Sequence, residues 1–140
     1  INKAARELLR RVGKTTIISH DWWAYMLITG AGGVLFYDVL PTVLYRQHDC
    51  NIIGGDIKLS KRLRRVFSGK FKEANTINSS ALRQAYSYLT TENQQLLDLY
   101  DLSRTQQLVP RILSFKQIGS YRQTLAGNLG LIIATLTNRL

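Results

Sequence analysis

Apolar positions recur along most of this chain at intervals of three and four residues, the spacing of one face of an α-helix. Between Asn2 and Arg11, Ala4, Leu8 and Leu9 form such a face and Arg6, Glu7 and Arg10 fall opposite; Gly13 closes the helix and Lys14-Thr15-Thr16 reads as a loop. A second helix is predicted from about Asp21 to about Ala31. Ser19 or Asp21 can accept hydrogen bonds from the unpaired N–H groups at its start, and Asp21 also suits the positive end of the helix dipole. Trp22, Tyr25, Met26 and Thr29 lie on one side of it, with Trp23, Leu27 and Gly30 on a neighbouring one. So little of the circumference is polar that burial on most sides is predicted.

After Gly30, Gly32 and Gly33 the pattern changes. Val34-Leu35-Phe36-Tyr37 is a continuous run of strand-favouring residues, and Thr42-Val43-Leu44-Tyr45 is another beyond the Asp38-Val39-Leu40-Pro41 connection. Two strands, at about 34–37 and 42–46, are expected, covered on both faces because neither run alternates. Arg46, Gln47 and His48 then stand where the second strand emerges, a place where ligands usually meet a sheet.

The second half returns to helical spacing. Leu59, Leu63, Val66 and Phe67 are spaced as an apolar face through a segment bearing Lys58, Lys61, Arg62, Arg64, Arg65, Lys70 and Lys72. Gly69 to Ser80 is polar and reads as loop, with Asn78, Ser79 or Ser80 available to cap a helix from about Ala81 to Leu89 that carries Leu82, Ala85, Tyr86 and Leu89 on one face. Thr91 and Glu92 restart a helix with Leu96, Leu97, Leu99 and Tyr100 on its apolar side, and two helices joined so briefly should form a hairpin. Ser103 can cap a further helix with Leu108, Ile112 and Phe115 inward; Pro110 predicts a kink or a late start near Val109, and Gly119 the end. From Ser120 a last helix carries Leu125, Leu129, Ile132, Ile133 and Leu136, and either packs on the others or lies in a membrane interface. The expected fold class is α+β and mostly α, with about six or seven helices beside the two-strand element.

Composition narrows the class. At 140 residues and 45% hydrophobic content the chain is at most one domain and not a disordered one. Cys50 is the only cysteine, which excludes an internal disulfide framework and agrees with a reducing compartment. The charge-free run from Trp22 to Tyr37 is shorter than the roughly 18 to 20 residues a membrane span needs and is broken by glycines, so no transmembrane helix is predicted. The formal charge of +10 calls for an anionic partner, and Lys58, Lys61, Arg62 and Arg65 are the candidate contacts. Anionic lipid headgroups, nucleic acid and a merely solvated face all fit that segment; nucleic acid fits less well, because no known nucleic-acid motif accompanies the charge.

The string His20-Asp21-Trp22-Trp23, a glycine-containing helix end, an aromatic-Asp pair at Tyr37-Asp38, and then Pro41-x-Val43-Leu44-Tyr45-Arg46-Gln47-His48 with Asn51 and Gly54 resembles the C-terminal half of the catalytic domain of family 2 glycosyltransferases. The bacterial rhamnosyltransferase-like enzymes of surface-polysaccharide synthesis are the most similar subgroup. The match is dense from His20 to Gly54, and looser at Ile1 to Ala5 and from Arg111 to Leu140.

That resemblance implies a GT-A fold, with residues 1–56 the acceptor-side part of a catalytic domain and 57–140 a basic helical extension. Asp21 aligns with the general base of inverting members. His20 stands where the wider family often has Glu, and so departs from the pattern. Trp22 and Trp23 would lie beside the acceptor, although one of an adjacent tryptophan pair is expected in the core. Arg46 and His48 align with the region that closes over the nucleotide diphosphate, and His48 is a candidate metal ligand there. The implied partners are a nucleotide-sugar donor and a saccharide or lipid-linked acceptor, and the implied place is the cytoplasm, at the inner face of the membrane. The family's acidic D-x-D motif, which holds Mg or Mn, is absent from these 140 residues. The chain therefore reads as a fragment without the donor-binding half, with no cation expected on it alone, no catalysis by itself, and a tendency to self-associate through an uncovered strand edge.

Overall fold

The computed structural model describes residues 1–40 and 69–139. Those residues form six α-helices: α1 (Lys3–Val12), α2 (His20–Gly30), α3 (Lys70–Gln84), α4 (Thr91–Thr105), α5 (Leu108–Ile118) and α6 (Leu125–Leu136), with one 3-10 turn, Tyr86–Tyr88, between α3 and α4. Among the described residues there is no strand, and no helix is long and apolar enough to cross a membrane.

The predicted β element is thus corrected. Val34 to Tyr37 carries no strand, and Val34, Phe36 and Tyr37 are almost fully exposed. Among the described residues, backbone pairing stops where the Gly33 N–H donates to the Ile28 carbonyl, and the next backbone contact is the Leu40 N–H on the Asp38 carboxylate at 2.9 Å. Strand preference expresses how well a residue fits a pleated, half-covered surface, so the run does not form a ladder without a neighbour. The second run, 42–46, lies outside the described residues, as do Arg46, His48, Lys58, Lys61, Arg62 and Arg65.

Local signals place the helix ends. The Asn2 side chain accepts from the Ala5 N–H at 2.9 Å to open α1, and Gly13, at φ 76°, closes it. Thr90 caps α4 through the Asn93 N–H. Gly119 ends α5 in the left-handed region that suits glycine. Helix α6 begins on Thr124, which accepts from the Gly127 N–H, and ends with the Arg139 N–H on the Ala134 carbonyl at 2.8 Å while Asn138 takes a left-handed φ of 56°. That is a Schellman ending with Asn in place of the usual glycine.

The core is built from α1, α2 and α3. Trp23, Leu27, Ala81 and Ala85 are buried together, and Leu8, Leu9, Val12, Ile17, Met26 and Leu82 pack against them. Ala4, expected inward, is exposed, and Val12 takes its share of the face. Ala81 in α3 and Ala85 at its C-cap let that backbone approach α2 closely, with Trp23 and Leu27 filling the space.

The expected loop from Gly69 to Ser80 is instead most of α3. Two of its polar side chains bond back into the helix: Thr76 Oγ1 donates to the Lys72 carbonyl at 2.7 Å and Ser79 Oγ to that of Thr76 at 3.3 Å. Arg104 of α4 reaches both hydroxyls, Thr76 and Ser79, so tertiary contact overrides the weak helix preference of the segment. Helices α3 and α4 pair as a hairpin, but the first arm is Lys70–Gln84 instead of the expected Ala81 to Leu89, whose second half is the 3-10 turn; the pair is clasped by Arg83, which donates to Asp98 at 2.5 Å and to Asp101 at 2.7 Å.

Ser103 does not cap a helix. It lies fully buried inside α4 with its hydroxyl on the Tyr100 carbonyl at 2.7 Å, and α5 starts late, at Leu108, with Pro110 in the first turn where no N–H is needed. Leu108 and Ile112, expected inward, are exposed, and Arg111 and Ser114 are buried in their place. The cause is Arg111, whose guanidinium donates to the carbonyls of Gln106 and Thr135 and so turns that side of α5 toward α4 and α6.

Candidate functional site

The sequence from Ser19 onward sets up a helix start that faces solvent. Ser19 is extended, at φ −147° and ψ 133°, and occupies the cap position without a side-chain hydrogen bond, so the first-turn N–H groups are left to water and to the favourable charge of Asp21. Asp21 Oδ1 pairs with His20 Nε2 at 2.9 Å. Both side chains stand clear of the protein, 78% and 89% exposed.

Neighbouring tryptophans point opposite ways because successive helical residues are turned by about 100°. Trp23 is 5% exposed and packs with Leu27, one turn on, whereas Trp22 is 54% exposed. Tyr25, one turn beyond Asp21 and Trp22, is also exposed. The prediction that α2 would be buried on most sides is therefore corrected: Trp23 and Leu27 root one side in the core, and the side with Asp21, Trp22 and Tyr25 is open. Glycine at position 30 permits close contact at the far end, where an added Cβ would lie 2.8 Å from the Leu89 side chain.

His20, Asp21 and Trp22 are thus brought together, and Trp23 is separated from them. Tyr25 was not among the predicted site residues, although its spacing of four from Asp21 was the signal that places it on the same face. The carboxylate can accept a proton, the imidazole can exchange one with it, and the open aromatic faces can lie against a sugar ring. Among the described residues no group of three or more His, Cys, Asp or Glu side chains could hold a metal ion, and His20 with Asp21 supplies too few ligands for a site made by protein alone. A shallow groove of about 490 Å³ lies elsewhere, lined by Glu92, Gln95, Leu96, Asp98, Leu99 and Leu102 of α4 and Gln117 of α5, and contains none of the predicted site residues.

Compared with protein-family models, with curated proteins and with solved structures, the chain finds no match.

Proposed function

We propose that this chain supplies the acceptor side of an inverting glycosyltransferase of the family 2 type, in which Asp21 is the general base. The observation that carries this reading is the exposed Asp21–His20 pair at the start of a helix whose Trp23 and Leu27 fix it in the core. A base must be reachable by its substrate and held in place, and α2 provides both conditions.

In this reading an acceptor sugar lies against Trp22 with one hydroxyl within about 3 Å of the Asp21 carboxylate. The hydroxyl oxygen attacks the anomeric carbon of the donor as its proton passes to Asp21. The bond from that carbon to the nucleoside diphosphate breaks on the opposite side, which inverts the centre. His20 then relays the proton to water and returns Asp21 to its ionised form. Arg46 and His48 are the candidates for meeting the departing diphosphate, on the resemblance alone. No step is assigned to a metal ion, for which the described residues offer no site.

The test is Asp21→Asn in the enzyme carrying its donor-binding half, assayed for sugar transfer. Loss of at least about a hundredfold in turnover is expected, with thermal unfolding unchanged because the side chain is exposed. Near-normal turnover would remove Asp21 from the reaction and with it this assignment.

A further inference from the structure

Helix α6 has two unlike sides. Ala134 and Thr135 are buried, and the end of the helix is tied down by Arg111 on the Thr135 carbonyl and by Lys72, whose Nζ donates to the Asn138 carbonyl at 3.3 Å. Leu125, Leu129, Ile132 and Leu136 are spaced four, three and four apart, one stripe along the helix, and are 90, 60, 53 and 48% exposed. No charged residue lies within Leu125–Leu136, but Arg122 precedes it and Arg139 follows it. Both arginines also hold contacts within the chain. From Leu102 to Leu140 the sequence has Arg104, Arg111, Lys116, Arg122 and Arg139 and neither Asp nor Glu.

We propose that this stripe seats α6 in the plane of an anionic lipid bilayer, with its four aliphatic side chains below the headgroups. An aliphatic row flanked by cations matches what that boundary offers, an apolar layer about 5–10 Å deep under a negative surface potential. At 12 residues the helix is about 18 Å long, too short for a hydrocarbon core of about 30 Å, so it lies flat instead of crossing. A second copy of the chain is a poorer match, since two such faces would meet with like charge and no carboxylate from this segment to offset it. Nucleic acid attracts the cations but has no surface that calls for a row of leucines and isoleucines. The contact stands apart from the sugar-transfer reading and does not depend on it.

Flotation of the 140-residue chain with vesicles tests this, using phosphatidylcholine and phosphatidylglycerol in equal parts against phosphatidylcholine alone. Binding to the anionic vesicles is expected, with partitioning weakened by about tenfold or more in the Leu129→Ser/Ile132→Ser double variant. The variant's helical circular dichroism should match the parent's, because both side chains lie outside the core. If the helical signal is lost, Leu125→Ser, at the most exposed position, replaces the pair with the same two outcomes. No binding to anionic vesicles overturns the proposal. So does binding that the stripe variants leave unchanged, which would assign the contact to other cations such as those from Lys58 to Lys72. A parent that dimerises in sedimentation, ignores vesicles and becomes monomeric in the variant overturns it in favour of self-association.

Discussion

The side-chain amide of Asn93 donates to the carbonyl oxygen of Gly30 at 3.0 Å, and the Thr90 N–H reaches the same oxygen at 2.9 Å. Carbonyls in the last turn of a helix have no partner within it. The end of α2 is therefore satisfied by the start of α4, across 63 positions of sequence. This junction fixes the far end of the helix that presents His20 and Asp21. Replacing Asn93 by Ala removes one of two donors to Gly30 and should cost about 1 kcal/mol, read as a lower urea midpoint with the slope unchanged. An unshifted midpoint would mean that the Thr90 N–H suffices alone.

The two tryptophans should separate cleanly in stability. Trp23→Ala opens a cavity beside Leu27, Ala81 and Ala85 and is expected to cost about 3–5 kcal/mol. Trp22→Ala, at a half-exposed position, should stay within about 0.5 kcal/mol. In the sugar-transfer reading, Trp22→Ala instead weakens acceptor binding, seen as a higher acceptor KM. The reverse ranking in stability would show α2 rotated from the orientation described.

The elements most legible in the sequence were those whose signals are local. Gly13 and Gly119 act on backbone groups next to them, so the C-terminal ends of α1 and α5 could be read residue by residue, whereas the cap of α4 is Thr90, one residue before the expected Thr91 start, and Ser103 lies inside that helix instead of opening the next. The first turns of α3 could not be read in this way, because Thr76 and Ser79 look like loop residues until Arg104 is placed beside them. The strand at 34–37 failed for a related reason: its preference needs a neighbour that the described residues do not include. In the candidate site, the cluster at the start of α2 was legible from the order of rare residues. Which tryptophan faces the core was not, since a helix apolar nearly all round does not announce its inner side. Helix α6 was ambiguous in the same way, and the inward turn of Arg111 left Leu108 and Ile112 outside.

The acidic clasp of the α3–α4 hairpin predicts how stability follows pH. Asp98 accepts from the Tyr86 hydroxyl at 2.8 Å and from Arg83, and these bonds, the tyrosine's first, hold its carboxyl below the usual carboxylate range. A group whose pKa is lowered by folding contributes stability above its unfolded value, about 3.9, and that contribution disappears as pH falls through the folded value. Tyr86 has the opposite sign. Its hydrogen bond to Asp98 raises the phenol, so its contribution is complete below about pH 10 and is lost as pH rises through the folded value. Tyr100, raised by burial, adds to the same alkaline loss. Melting temperature should therefore be level across the neutral range and fall at both ends. Asp98→Asn should shrink the acid decline and leave the Tyr100 part of the alkaline one. An acid limb identical in the variant would place its origin in other carboxylates.

Arg111 is buried, and among the described residues no carboxylate pairs with it. Its Nη2 donates to the Gln106 carbonyl at 2.6 Å and its Nη1 to the Thr135 carbonyl at 3.1 Å. Gln106 caps the C-terminal end of α4 and Thr135 lies in the last turn of α6, so the cation sits between two helix ends that each carry roughly half a negative charge. Ser114 holds the Gln106 side chain by donating to its Oε1 at 2.8 Å, while Arg111 Nε has no partner among the described residues. Because one fork bridges α4 and α6, its shape matters as well as its charge. Arg111→Lys keeps the charge but reaches one carbonyl at a time, and should cost about 1–2 kcal/mol. Arg111→Met keeps the bulk and strands both carbonyls, and should cost about 3 kcal/mol. If the side chain served only to fill space the order would reverse, with methionine the milder change, and urea midpoints of the two variants decide between these accounts.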